Sequence, residues 1–438
     1  MSALPPAATP DPAPGPSPWA WVSTLYFTQS LPYVAVMVLS VVMYKNLGLN
    51  NTDIALYTSW LYLPWVIKPL WAPLIELLGR KRHWIALTQA VVGLLLALVA
   101  LSLPMERFFQ LSLALLWLMA FASASHDIAA DGFYLLALPR HQQTAFVGVR
   151  SAFYRLANIS AQGGLVWLAG TLHERHGSWV LAWQLVLGLL AAALLGLALW
   201  HQFVLPRPSS DQPTPRTPGN SPWRSSVEVF TSFARQPGLA ATVAFLLLYR
   251  FPEAQLLKLA TPFLLDAPEV GGLGLSNQQV GLVYGSVGLG ALTLGGLAGG
   301  WLISRQGLGR VLWPLVAAMH LPNLVFVLLA ALPGLSLWWV GAALALEQFG
   351  YGLGFAAYLT YMLKVAEGDG DNPYKTAHYA LCTGLMALGM MLPGMWSGWL
   401  QAQLGYLGFF GWVLVASLPS LLATAAIQVP RDWGRRSP

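Results

Sequence analysis

The stretch Ala122–Tyr134, ASASHDIAADGFY, decides how the chain is read. It lies inside an apolar run from Phe109 to Leu138 that has the length and composition of a membrane-spanning helix. An ionised carboxylate at bilayer depth costs roughly 3 kcal/mol on insertion scales, so it faces a partner or a water-filled cavity. Asp127 and Asp131 are four residues apart and share one helical face, with His126 beside them. The rest of the chain has to supply partners for these groups.

The wider composition agrees with a membrane setting. Of 438 residues, 56% are hydrophobic and 9% charged, against about 25% charged in soluble domains. The mean hydropathy is +0.58. The 20 Trp and 42 Gly suit interfaces and close helix contacts. A net charge of +6 reads as basic cytoplasmic loops facing anionic lipid, not as a nucleic-acid footprint. The single cysteine, Cys382, lies in an apolar run and reads as core packing. Residues 1–18 hold seven prolines and no Lys or Arg, so they read as a disordered tail and not as a signal peptide.

Twelve apolar segments follow, at about 19–43, 53–77, 84–104, 109–138, 148–172, 180–204, 238–265, 277–303, 310–332, 336–365, 375–401 and 406–428. The expected fold class is an all-α polytopic membrane protein of twelve transmembrane helices. The expected organisation is a six-helix half (19–204), a flexible cytoplasmic linker (205–237), a second half (238–428) and a tail (429–438). Placing the N-terminus inside puts fifteen loop Lys and Arg on the cytoplasmic side and leaves Lys45, Arg107 and Arg175 opposite. Both termini are therefore expected in the cytoplasm. The turn after segment two, Ala72-x-x-x-Glu76-x-x-Gly79-Arg80-Lys81-Arg82, recurs in weaker form after segment eight as Gly300-x-x-x-Ser304-Arg305-x-Gly307. That repeat resembles the loop signature of the major facilitator superfamily.

Apart from Arg310 at the loop edge of segment nine, segments three, six, nine and twelve carry no Asp, Glu, Lys or Arg inside their apolar spans. Buried ionisable groups fall instead on segments two (Lys68), four (Asp127, Asp131), five (Arg150, Arg155), seven (Arg250, Glu253, Lys258) and ten (Glu347), with His378 on eleven. Arg150, Tyr154, Asn158 and Gln162 form a polar stripe every four residues, and Gln29 and Tyr33 share a face of the first helix. Arg250 and Glu253, three apart, read as neighbours on one face. Either they or the pair of Asp127 with Arg150 or Arg155 could neutralise each other as purely structural pairs. Five buried cations against four carboxylates hint only weakly at an anionic solute. Protonatable carboxylates at Asp127, Asp131, Glu253 and Glu347 suit proton coupling. Gly281-x-x-x-Gly285 and Gly296-x-x-x-Gly300 read as close packing. Asp369–Asn372 reads as a turn, lacking the spacing of a calcium loop. His126-Asp127 lacks the further ligands of a metal phosphohydrolase, and neither a metal nor a cofactor is expected.

Two motifs narrow the resemblance to the AmpG-type permease branch of that superfamily: Lys68-Pro69-Leu70-Trp71-Ala72-Pro73-Leu74, and Ser125-His126-Asp127-Ile128-Ala129-Ala130-Asp131-Gly132-Phe133-Tyr134. The second resembles a Gln-Asp-Ile-x-x-Asp-Ala pattern, with His126 in place of Gln and Gly132 in place of Ala. The resemblance implies that every third helix faces lipid while the others line a central cavity, in an architecture that can work as a monomer. It also implies proton-driven uptake of 1,6-anhydro-muropeptides across the inner membrane for cell-wall recycling. On that reading Asp127, Asp131, Glu253, Glu347 and His126 are candidates for proton or ligand binding. Gln29, Tyr33, Arg150, Tyr154, Arg155, Asn158, Arg250, Lys258 and His378 are candidates for the solute. Lys68, Glu76, Gly79, Arg80, Lys81 and Arg82 serve gating. The alternatives are another anionic solute (a peptide, a nucleotide conjugate such as acetyl-coenzyme A, a siderophore), or a different class altogether, a membrane sensor or intramembrane enzyme.

Overall fold

The computed structural model describes residues 16–435, apart from 73–74, 76–78, 139, 210, 213–221, 333 and 369–373. Glu76, most of the 1–18 tail and the Asp369–Asn372 turn thus lie largely or wholly outside the described residues. Among those described, six helical rods precede a linker helix and six follow it. The first six are α1 (Pro18–Asn46), α2 (Asn51–Trp60, Leu63–Ile67 and the 3-10 turn Lys68–Leu70), α3 (Lys81–Ser102), α4 (Phe108–Ala137), α5 (Arg140–Ile159 through Val166–His176) and α6 (Trp179–Val204). The linker helix is α7 (Pro222–Ala234). Then come α8 (Leu239–Leu248 and Phe251–Leu265), α9 (Asn277–Gln306), α10 (Leu308–Ala331) and α11 (Leu337–Glu367). A long helix from Lys375 is parted at Gly405, whose φ of 65° turns the chain, into α12 (375–404) and α13 (406–426).

Among the described residues, seven stretches are long and apolar enough to cross a membrane, the last of them covering α12 and α13 together. The rods that miss this threshold are α2, α5, α8 and α11. They are broken, or they carry the ionisable groups Lys68, Arg150, Arg250 and Glu347, of which Arg250 and Glu347 are buried. Low hydropathy there reflects what the rods line. Conversely α3, α6, α10 and α13 present leucines outward, among them Leu94, Leu189, Leu328 and Leu422. Their inner faces are more polar than their apolar spans suggest, burying Gln89, His201, His320 and Ser420.

Backbone contacts join the halves. A Cβ on Gly285 of α9 would lie 2.5 Å from the Gln162 carbonyl of α5, and one on Gly281 would lie 2.7 Å from the Gly163 carbonyl. The Gly281/Gly285 expectation is met. The Gly296/Gly300 expectation is off by one residue: a Cβ on Gly295 or Gly299 would run into the Phe349 or Leu353 carbonyl of α11, whereas one on Gly300 would meet none of the described atoms within 4 Å. Wide i→i+5 turns occur at Ala35–Leu39, Ser160–Leu165 and Gly281–Gly288. Such turns rotate the side chains that follow and concentrate at functional sites.

The linker is not simply a flexible connector. Asp211 accepts from the backbone N–H of Lys81 (2.8 Å) and Arg82 (3.2 Å), an acid at the N-terminus of α3. Arg82 also donates to the Gln202 carbonyl. Phe233 of α7 is buried, and Ser232 and Gln236 hold the two ring nitrogens of His378 at 2.7 and 3.1 Å. His378 therefore docks the linker and does not line the central cavity. Gly132 also finds a reason: a Cβ there would sit 2.5 Å from Lys81 Cε.

Gly285→Val forces the α5–α9 crossing apart and costs about 2 kcal/mol by overpacking. Gly300→Val, in open space, stays within about 0.5 kcal/mol of wild type. Thermal unfolding of the purified protein reads both.

Candidate central cavity

Between the halves lies a cavity of about 280 Å³. Its lining comes from α1, α2, α5, α8, α9, α11 and α12, with no residue from α3, α4, α6, α10 or α13. Each wide turn contributes to it: Met37 and Val38 from the first, Gln162 from the second, Tyr284 from the third.

Among the described residues the charged lining is Lys68, Arg250 and Lys258, with no carboxylate. Arg250 enters through a break in α8. Pro252 cannot donate to the carbonyl of Leu248, so the helix stops at Leu248 and restarts at Phe251, leaving Tyr249 and Arg250 between the pieces. The guanidinium donates to Tyr351 Oη and lies 4.8 Å from the Phe355 ring, while its Nε has no hydrogen-bond partner among the described residues. Lys258 donates to Thr58 Oγ1 at 2.9 Å and sits 5.3 Å from the Tyr62 ring. Tyr33 and Trp65 meet edge to face at 5.3 Å. Met386, Met390 and Leu257 complete an apolar wall. Positive charge, tyrosine hydroxyls and an apolar wall together suit an anion with an amphipathic body.

The expected residues divide on the structure. Tyr33, Lys68, Arg250 and Lys258 line the cavity, so Lys68 stands in its wall and apart from the turn that carries Gly79–Arg82. The carboxylates turn elsewhere. Asp131 pairs with Arg150 at 2.8 Å and accepts from Tyr26 at 3.1 Å, so the partner of Arg150 is Asp131 and not Asp127. Asp127 accepts from the Trp65 indole at 3.1 Å, just behind the cavity wall. Glu253 does not face Arg250: the break rotates one against the other, and Glu253 pairs with His320 of α10 at 2.7 Å. Glu347 accepts from Gln348 at 2.9 Å.

The α5 stripe follows α1 before it reaches the cavity. Arg150 lies over the Tyr26 ring at 4.4 Å and Asn158 donates to Ser30 at 2.8 Å, with Tyr154 between them. Only after the wide turn begins does Gln162 reach the cavity. Arg155 points at α9, its Nη2 3.5 Å from where a Cβ on Gly296 would stand. Gln29 is buried but outside the lining. His126 faces away, joining Gln89 (2.9 Å), His201 (2.9 Å from Gln89) and Thr24 (2.9 Å from His201) in a chain that binds α1, α3, α4 and α6. Gly79, Arg80, Lys81 and Arg82 stay at the turn into α3, away from the cavity, with Gly79 at φ 136°. Tyr62, Trp65, Gln348 and Tyr351 line the cavity without having been singled out. For the α2 pair the signal was available: 62, 65 and 68 share one helical face.

The halves are tied at the end of the bundle opposite the start of α1. Lys45 and Asp266 pair at 2.5 Å, Tyr406 donates to Asp266 at 2.5 Å, and Asn51 donates to Tyr406 at 2.8 Å and to Gln401 at 3.1 Å. Asn46 and Asn277 exchange hydrogen bonds beside them.

The sequence profile described as Major Facilitator Superfamily matches residues 22–380. An anhydromuropeptide permease of Escherichia coli (strain K12) is 28% identical over 376 residues, covering 85% of this chain and 72% of the relative. A putative transporter AmpG 4 of Rickettsia conorii is 22% identical over 411 residues, 91% of this chain and 93% of the relative. Among solved structures, the nucleoside transporter NupG superposes with a TM-score of 0.65 at 17% identity, covering 92% of this chain and 98% of the other. A POT family transporter in complex with 5-aminolevulinic acid superposes with 0.68 at 12% identity, covering 94% and 96%.

Asp266→Asn loses the ion pair and weakens the Tyr406 contact, about 1 kcal/mol or a fivefold shift toward the parted state. Thiol labelling of Gln278→Cys, made in a Cys382→Ala background, rises accordingly. Gln278 packs against Gly170 across the halves, so unchanged labelling contradicts the tie.

Proposed function

The chain belongs to the Major Facilitator Superfamily, and from that premise we propose a secondary active transporter that imports anionic peptidoglycan fragments, anhydro-muropeptides, by alternating access driven by protons. It is an integral membrane protein, and the relatives it matches are transporters. The proposal adds twelve spans, a bacterial inner membrane and cytoplasmic termini, in line with the loop charge.

One observation carries the substrate class: a cavity lined by Lys68, Arg250 and Lys258 with no carboxylate among its lining residues. In a site of low dielectric three cations strongly favour an anion. Arg250 suits a carboxylate through its planar fork, and Lys258 and Lys68 act as point charges. Trp65, Tyr33 and Tyr62 offer flat faces and hydroxyls to a sugar. The Lys45–Asp266 end is tied shut here, as expected of a state closed on the outer side, and rocking of the halves about the Gly163–Gly285 crossing would alternate access.

The cavity volume of about 280 Å³ is at the small end for a ligand site, so a disaccharide-peptide needs the halves to part further. The same observation favours a second reading, a smaller carboxylate-bearing solute.

Proteoliposomes containing the full chain are expected to accumulate labelled anhydro-muropeptide when an inward proton gradient is imposed. Arg250→Met is expected to cut uptake by about a hundredfold and Lys258→Met by about tenfold, since each removes a charge-assisted contact. Absence of uptake by folded wild type removes the muropeptide assignment. Full uptake by Arg250→Met removes the role of the cavity cations.

A further inference from the structure

One buried cluster of titratable groups lies off the cavity. Glu253 of α8 is 1% exposed, and its Oε1 lies 2.7 Å from His320 Nδ1 and 3.3 Å from Asn323 Nδ2, both on α10. On the far side of the imidazole, Nε2 lies 2.7 Å from Ser420 Oγ on α13. Ser420 Oγ in turn lies 2.8 Å from the carbonyl of Tyr249, the residue at the break in α8.

Counting protons fixes the state of this chain of contacts. The Tyr249 carbonyl can only accept, so the single Ser420 hydroxyl proton goes to it. The Ser420–His320 contact then takes its proton from Nε2–H. With Nε2 protonated, the Nδ1–Oε1 contact needs another proton, held on the imidazole or on the carboxyl. The dyad is thus in its proton-loaded form, neutral overall, as either carboxylate with imidazolium or carboxylic acid with imidazole. Removing that proton leaves an uncompensated negative charge where Glu253 Oε2 has no hydrogen-bond partner among the described residues.

We propose that the Glu253–His320 dyad, relayed through Ser420 to the Tyr249 carbonyl, is the proton-binding site of the transport cycle, separate from the solute cavity and linked to it through the break in α8. The proposal rests on the transporter reading above and names where its proton binds. The link is short. Tyr249 receives the relay, Arg250 enters the cavity and Glu253 begins the restarted helix, so loss of the proton moves the segment that carries the solute-facing guanidinium. The other titratable groups acting on Glu253 are Tyr249 on its own rod, and Glu347 and Tyr351 from α11; Arg250 is turned away by the break. Ser420 is the contact from α13, and α12 presents no titratable group to it among the described interactions. Glu347 has Gln348, a side chain that does not titrate, as its hydrogen-bond partner among the described residues, and no histidine relay runs from it.

The test has a solute-free arm and a transport arm. In pH-difference infrared spectra of the full chain in lipid, wild type is expected to show a protonation signal. Glu253→Gln and His320→Gln each remove it and Glu347→Gln retains it. In proteoliposomes, Glu253→Gln is expected to lose gradient-driven accumulation of labelled anhydro-muropeptide about tenfold while keeping gradient-free exchange within about twofold. A signal that survives Glu253→Gln, or accumulation that survives it, overturns the proposal. If folded wild type moves no muropeptide, the substrate reading fails while the infrared arm still decides the dyad. Should Glu253→Gln not fold, Ser420→Ala carries the test: it removes the Nε2–H acceptor, and a titration midpoint equal to wild type overturns the relay.

Discussion

The cost of charge in a low-dielectric bundle organises this molecule. Each ionisable group placed between apolar helices needs a partner, a cavity or a proton. The structure separates the signs. Lys68, Arg250 and Lys258 reach the cavity, supported by Tyr351, Phe355, Thr58 and Tyr62. Asp131 is held by Arg150, Asp127 by an indole and Glu253 by an imidazole. The separation leaves a positive chamber between the two halves.

Backbone irregularity makes the separation possible. On an unbroken helix residues three apart share a face, and Arg250 and Glu253 would neutralise each other. Pro252 interrupts α8 between them, and the two side chains then serve different sites. The wide turns in α1, α5 and α9 work similarly, each delivering a residue to the cavity. Two of these turns meet where Gly163, Gly281 and Gly285 let the halves touch backbone to backbone.

What could be read in advance follows from this. Apolar length marked the rods, and the placement of Lys, Arg, Asp and Glu separated cavity rods from outer ones, because burying charge is costly enough to leave a pattern in composition. Side-chain direction was less legible. The Arg150–Gln162 stripe has ideal helical spacing, yet a wide turn that no residue type announces divides it between α1 and the cavity. His126 lies next to Asp127 in the chain and on another face in space, so it joins Gln89 while Asp127 meets Trp65. His320 and Ser420 gave no signal, since each stands alone in an apolar span and acquires meaning only through Glu253. The linker helix α7 was hidden by the prolines around it, and its docking depends on Phe233 and His378 meeting in the fold.

In the proposed transport function, the cavity cations recognise the negative charge of the solute. The most direct measurement compares binding of anhydro-muropeptide with its carboxyl-amidated form to the purified full chain. Loss of charge-assisted contacts of about 1.5–3 kcal/mol predicts amide binding weaker by about ten- to a hundredfold, with the gap closing in Arg250→Met. Equal affinity for the two forms in wild type would contradict it.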